Sequence, residues 1–245
     1  KFDLWKEHDN GKRNDTFMDY YSKLDLCYFS FLINTSNDMC QTWFNRGMLL
    51  AYNFNHEAAR ECFFKCLKED HECVMACWGI CYVSGVYYNN QSCTQEQMDI
   101  ACKYVKLGLS IIKTRRENKI YIPTLEELLL EAVQCRALEN YSEAGDDSSE
   151  IGKKLLTESN IKYSKAMYHV YSQFPLHPDV TSLYAESLMN LTPWKLWPPT
   201  SRDRMESNTK KVSQNIGTDK NTVEIITILE NGIKNTYKWY LDNLA

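Results

Sequence analysis

Apolar residues recur at three- and four-residue intervals along most of the chain, the spacing of amphipathic helices. A first such element carries Trp43 and Gly47, with Thr35 or Ser36 as its expected N-cap. Asn53 to Asn55 break it, and Asn55 is placed to cap a partner running from about His56 to Lys68. Another helix is expected over about 72–84, followed by a tyrosine- and asparagine-rich loop from Gly85 to Ser92. Thr94 with Gln97 forms a capping-box pattern, and Met98, Ala101, Cys102, Val105, Leu109 and Ile112 keep a helical period behind it. Pro123 and Thr124 with Glu127 signal the next start, with Leu125, Leu128, Leu129, Ala132, Val133, Leu138 and Tyr141 as its buried side.

Downstream, Tyr163, Ala166, Met167, Val170, Tyr171 and Phe174 share one face, Pro175 and Pro178 force a turn, and Asp179 is expected to cap a helix ending near Asn190. A last helix is expected over about 222–243. Two stretches depart from the period. Residues 25–34, DLCYFSFLIN, crowd aromatic and β-branched residues and read as extended or only partly helical. Residues 142–159, with Gly145, Gly152 and a charged serine cluster, read as a flexible linker. The expectation is a single all-α domain over 1–245, an α-solenoid of about eight to ten helices paired as antiparallel hairpins. Within it, 1–42 is a leader, 43–141 a first repeat block, 142–159 the linker and 160–245 a second repeat block.

Trp43, Gly47, Ala59, Phe63 and Cys66 stand at the offsets of a tetratricopeptide repeat, where small residues let two helices cross beside an aromatic. The runs Trp43-Phe44-Asn45-Arg46-Gly47, Phe54-Asn55-His56-Glu57-Ala58 and Cys77-Trp78-Gly79-Ile80 extend the likeness. So do Phe174-Pro175, His177-Pro178-Asp179, Leu183 to Met189 and Pro193-Trp194-Lys195-Leu196-Trp197. In these blocks the chain resembles a mainly bacterial tetratricopeptide-repeat (TPR) family with WFNxG-, FNHEEA- and WGIA-like segments. The resemblance implies an α-solenoid and no particular reaction. Cysteine replaces alanine at several helix contacts, and the sequence stops where that family continues with another hairpin.

Composition narrows the function. The 245 residues include nine glycines and six prolines, few for a turn-rich β fold. A net charge of −4 argues against nucleic acid as partner. No run of 18 apolar residues offers a membrane span. Beginning at Lys1 rather than Met, the sequence is expected to have been processed or trimmed. Ten cysteines lack CxxC pairs of zinc-type spacing; Cys62 and Cys66, like Cys73, Cys77 and Cys81, are four apart on helix faces. They read as small packing residues in a reducing, intracellular and cytoplasmic setting. Five N-x-[ST] sequons begin at Asn14, Asn34, Asn90, Asn140 and Asn190, and are expected to be unmodified.

No residue set specifies a reaction. His56 reads as a capping or packing residue, the other histidines lack two-ligand spacing, and phosphate-loop and nucleophile-elbow patterns are absent. The expected role is a non-catalytic protein-interaction scaffold without metal or cofactor, a component of a larger assembly, holding a peptide or partner helix in a concave groove. By the family resemblance, Gln41, Phe44, Met48, Ala51 and Tyr52 would face that groove, with Ser182, Glu186, Met189 and Asn190 in the second block. Trp194 and Trp197, bounded by prolines, would wedge between helices or anchor a partner. The alternative is a metal or thiol-redox protein using Cys62, Cys66, Cys73, Cys77 and Cys81.

Overall fold

A computed structural model of the chain describes residues 29–141 and 149–193. Among these, seven α-helices and no β-strand occur: α1 Asp38–Tyr52, α2 His56–Glu69, α3 Val74–Ser84, α4 Gln95–Glu117, α5 Thr124–Gln134, α6 Glu150–Gln173 and α7 Pro178–Met189. The only pairing of β type among them is an isolated bridge between Tyr87 and Asn90. The expected terminal helix at 222–243, the Trp194–Trp197 segment and most of the leader lie outside the described residues.

The chain divides into two compact units, one of residues 1–86 and 93–155 and another of 87–92 and 156–245. The first is organised around α3, every residue of which is buried from Val74 to Ser84. A helix apolar on all sides must be covered on all sides, and α1, α2, α4 and α5 pack on it. Phe63 of α2 sits between Gly47 of α1 and Gly79 of α3. A Cβ built on Gly47 would stand 2.5 Å from the Phe63 ring, and one on Gly79 2.7 Å from it. Glycine at both places gives the ring its slot. Phe44 meets Phe63 at 5.5 Å between centroids, and Trp78 stacks on Tyr82 at 5.1 Å, extending the aromatic core along α3. On the other side of α3, Gly108 admits Leu130 of α5 between α4 and Cys77.

Local chemistry sets the helix ends. Asn37, rather than Thr35 or Ser36, caps α1, accepting from the N–H groups of Met39 and Cys40. Thr35 is otherwise engaged: its hydroxyl donates to Asp70 at 2.7 Å and accepts from the Asn37 N–H. Asn55 caps α2 and Thr94 closes the capping box of α4, both as the sequence indicates. Before α2, Phe54 takes a left-handed conformation at φ 61°, completing a reversal that is tight for a non-glycine residue.

The linker expectation fails beyond residue 148. Residues 150–159 are the opening turns of α6, because Ser149 receives the Gly152 N–H at 2.8 Å and so starts a helix where its serine-rich surroundings suggested a loop. In the second unit, α6 and α7 pair through Tyr171 stacked on Tyr184 at 5.1 Å, with Met167, Val180, Leu183 and Leu188 buried. The α7 start differs from expectation: Pro178 is its first residue, and Asp179 lies inside the first turn rather than capping it.

The ring slot predicts a steep steric cost. Gly47→Leu would force Phe63 from its place and should destabilise the fold by about 1–3 kcal/mol or more. Chemical denaturation checks this; a midpoint unchanged from wild type would contradict the packing described.

Candidate functional site

The segment ahead of α1 lies against that helix and is bound through its backbone. The Phe31 N–H donates to Asn45 Oδ1 at 3.2 Å, and the Ile33 N–H to Gln41 Oε1 at 3.0 Å. Gln41 also donates from Nε2, to the Phe31 carbonyl at 2.8 Å and to Asn45 Oδ1 at 2.9 Å. Backbone groups two residues apart thus point to the same side, as in an extended chain. Burial alternates accordingly: Phe31 is buried, whereas Leu32 is 80% exposed. Phe31 meets Phe44 edge-on at 5.6 Å, and Phe29 meets Tyr52 edge-on at 5.9 Å. The reading of residues 25–34 as extended or partly helical is met, over 29–34, by a non-helical segment seated on α1.

The far end of this segment is fixed by α5. The Asn34 N–H donates to Glu126 Oε1 at 2.5 Å. Burial is the main reason that the Glu126 carboxyl is pushed up to about 7; the Asn34 hydrogen bond and nearby Arg115 work against that rise. His56 shows the opposite displacement on the base side. Burial first, then the Arg136 charge, bring it down to about 4, so it is a neutral ring packed near Tyr82.

The positions assigned to a groove on α1 divide sharply. Gln41 and Tyr52 are half-buried and touch the seated segment. Phe44, Met48 and Ala51 are buried at 0%, 0% and 3% exposure; Met48 and Ala51 are core residues, and Phe44 meets the seated segment through the Phe31 ring. The helical period groups all five on one stripe, but the stripe that faces α2 and α3 is the one the apolar members occupy. Asn45, which completes the clamp, carries no sequence signal beyond its four-residue spacing from Gln41. In the second unit, Ser182, Glu186 and Met189 are partly exposed, and Ser182 donates to the Pro178 carbonyl at 2.9 Å. Asn190 is 2% exposed and donates to Glu186 at 2.6 Å, which withdraws it from the partner surface. Trp194 and Trp197 lie outside the described residues.

A second feature joins three consecutive helices of the first unit. Cys40 stands in the first turn of α1, Cys66 in the last turns of α2, and Cys73 caps α3. Their sulfur atoms all lie within 4.8 Å of one another, with Cys40 to Cys66 at 3.1 Å and Cys66 to Cys73 at 3.8 Å. All three are buried, at 0%, 0% and 1% exposure. Hydrogen bonds from Cys66 and Cys73 hold the Cys40 thiol down at about 4, while burial pushes Cys66 well up. Cys73 is pushed well up too, chiefly by its hydrogen bond to Cys40.

Of the five cysteines singled out by spacing, only Cys66 and Cys73 belong to this cluster. Cys62 and Cys81 are buried thiols pushed up to about 12 by desolvation, and Cys77 is pushed up by the same cause. These three are packing residues, as the sequence suggested. Cys40 is 26 residues from Cys66, a separation without local periodicity to reveal it. No disulfide occurs among the described cysteines. Compared with protein-family models, with curated proteins and with solved structures, the chain matches none.

The two displaced groups predict opposing pH slopes. Glu126 has a folded value above its ordinary 4.5, so its contribution is complete below pH 4.5 and is lost as pH rises through 7. His56 has a folded value below its ordinary 6.5, so stability falls as pH drops from 6.5 towards 4. Glu126→Gln should remove the loss on the alkaline side, and His56→Gln the loss on the acid side. Denaturant unfolding across this range reads both; slopes unchanged by either substitution would contradict the assignment.

Proposed function

We propose that the chain is a non-catalytic, tetratricopeptide-like helical scaffold that holds extended polypeptide by its backbone along α1. The observation that carries this reading is the pair of amide side chains, Gln41 and Asn45, spending their hydrogen bonds on backbone groups at Phe31 and Ile33. Amide side chains that contact main chain impose little sequence selectivity; the neighbouring aromatics supply the rest, selecting apolar residues at alternate positions. The natural occupant in trans is a protein segment resembling the one now seated, with an aromatic or branched apolar residue at every second place. Helical hairpins stacked on a common buried helix suit such a role, because they present a rigid amide row to a flexible chain.

The seated segment and an external peptide would compete for the same row. A chain beginning at residue 35 should bind a synthetic peptide spanning residues 27–36 in trans, measured by fluorescence anisotropy. Gln41→Ala with Asn45→Ala in that shortened chain should weaken binding at least about tenfold, the loss of two or three hydrogen bonds. The full-length chain should bind the peptide less well, since its own segment has the higher effective concentration. A folded shortened chain that ignores the peptide would defeat this reading.

A further inference from the structure

We propose that Cys40, Cys66 and Cys73 form a binding site for one soft d10 metal ion, Zn2+ or Cu+, that ties the ends of α1, α2 and α3 together. The geometry is the first argument. An ion bound to thiolates at about 2.3 Å places its sulfurs about 3.8 Å apart when tetrahedral and about 4.0 Å apart when trigonal. The cluster already spans that range, with separations of 3.1 and 3.8 Å and none above 4.8 Å. Ligation thus requires only small rotations of side chains whose helices are already in place. At 3.1 Å the Cys40–Cys66 pair is far longer than a disulfide bond, about 2.05 Å.

The helix ends are the second argument. Cys40 occupies the first turn of α1, and Cys73 Sγ accepts the Ala76 N–H as the cap of α3. Both sulfurs therefore sit at the positive ends of helices, where a thiolate is stabilised. Cysteine is a weak hydrogen-bond acceptor, so a capping cysteine is a poor choice for stability alone. It is a good choice if the sulfur also ligates.

The ligand set is the third. Three sulfurs in a sealed site exclude Mg2+ and Ca2+, which need oxygen, and select thiophilic ions. Cu+ is satisfied by the three thiolates alone. Zn2+ would take water or a carboxylate as a fourth ligand; the Asp70 carboxylate is already engaged by Thr35 and by the Glu72 N–H. On ligation the metal replaces the protons still held by the thiols, which pass to solvent. This site is independent of the peptide row on α1, and either can stand without the other.

The test uses the full-length chain, reduced and stripped of metal, in two arms. In one, Zn2+ is titrated against a chromophoric zinc chelator; in the other, Cu+ against a copper(I)-specific chelator. Stoichiometric uptake of one ion per chain in either arm, with a raised midpoint of thermal unfolding, is the expected result, and the arm that succeeds names the ion. Cobalt substitution should give intense sulfur-to-metal charge-transfer absorption. Cys66→Ser should abolish uptake, and Cys40→Ser should do the same if Cys66→Ser fails to fold. Cys62→Ser and Cys81→Ser should leave uptake intact. The proposal is overturned if wild type takes up neither ion, if uptake survives in a folded Cys40→Ser or Cys66→Ser chain, or if the freshly isolated protein carries a Cys40–Cys66 disulfide by non-reducing peptide mapping.

Discussion

A phenyl ring between two glycines holds the first unit together. Phe63 fills the space that side chains at Gly47 and Gly79 would otherwise claim, so α1, α2 and α3 approach closely enough for one buried core. Van der Waals attraction falls off within fractions of an ångström, and this spacing therefore conditions all that lies along the same helices. The Phe44 and Trp78 contacts, the meeting of three sulfurs at one end of the helices, and the seat for Phe31 each presuppose it.

The same unit shows two uses of polar burial. Glu126 is 5% exposed and takes a backbone N–H from the far side of the unit in sequence, 92 positions away. Arg136, 3% exposed, donates to the Val86 carbonyl and lies over the Tyr82 ring. Each replaces water with a partner, which keeps the cost of burial in check. Each also fixes a segment with no regular structure: the stretch before α1 in one case, the exit from α3 in the other. Polar groups thus position the loops, while aromatic packing positions the helices.

Much of the helix plan was legible because helix periodicity and caps are local signals. Asn55, the Thr94–Gln97 box and the Gly47–Phe63 crossing could each be read from a window of fewer than twenty residues. The misplaced features depend on contacts distant in sequence. Thr35 has the chemistry of a cap, but its hydroxyl serves Asp70, 35 positions away. Phe44, Met48 and Ala51 share a stripe with Gln41, and only the placement of α2 and α3 decides that the stripe is mostly interior. Cys40 is drawn to Cys66 and Cys73 by helix packing alone, so spacing rules for cysteines within one helix could not find it. Ser149 is the exception: its cap was local, but a serine-rich context obscured it.

The clamp on the seated segment has a metric consequence. Gln41 and Asn45 are one helical step of four residues apart, about 6.0 Å along the axis. The residues they hold, Ile33 and Phe31, are two apart in an extended chain, about 6.6–6.8 Å. One such interval is within the reach of flexible amide side chains, but the mismatch grows by more than half an ångström with each further step. A straight helix and a straight extended chain therefore fall out of phase after two or three rungs. The pairing on α1 is short by geometry, and a longer extended segment would have to bend or leave the helix.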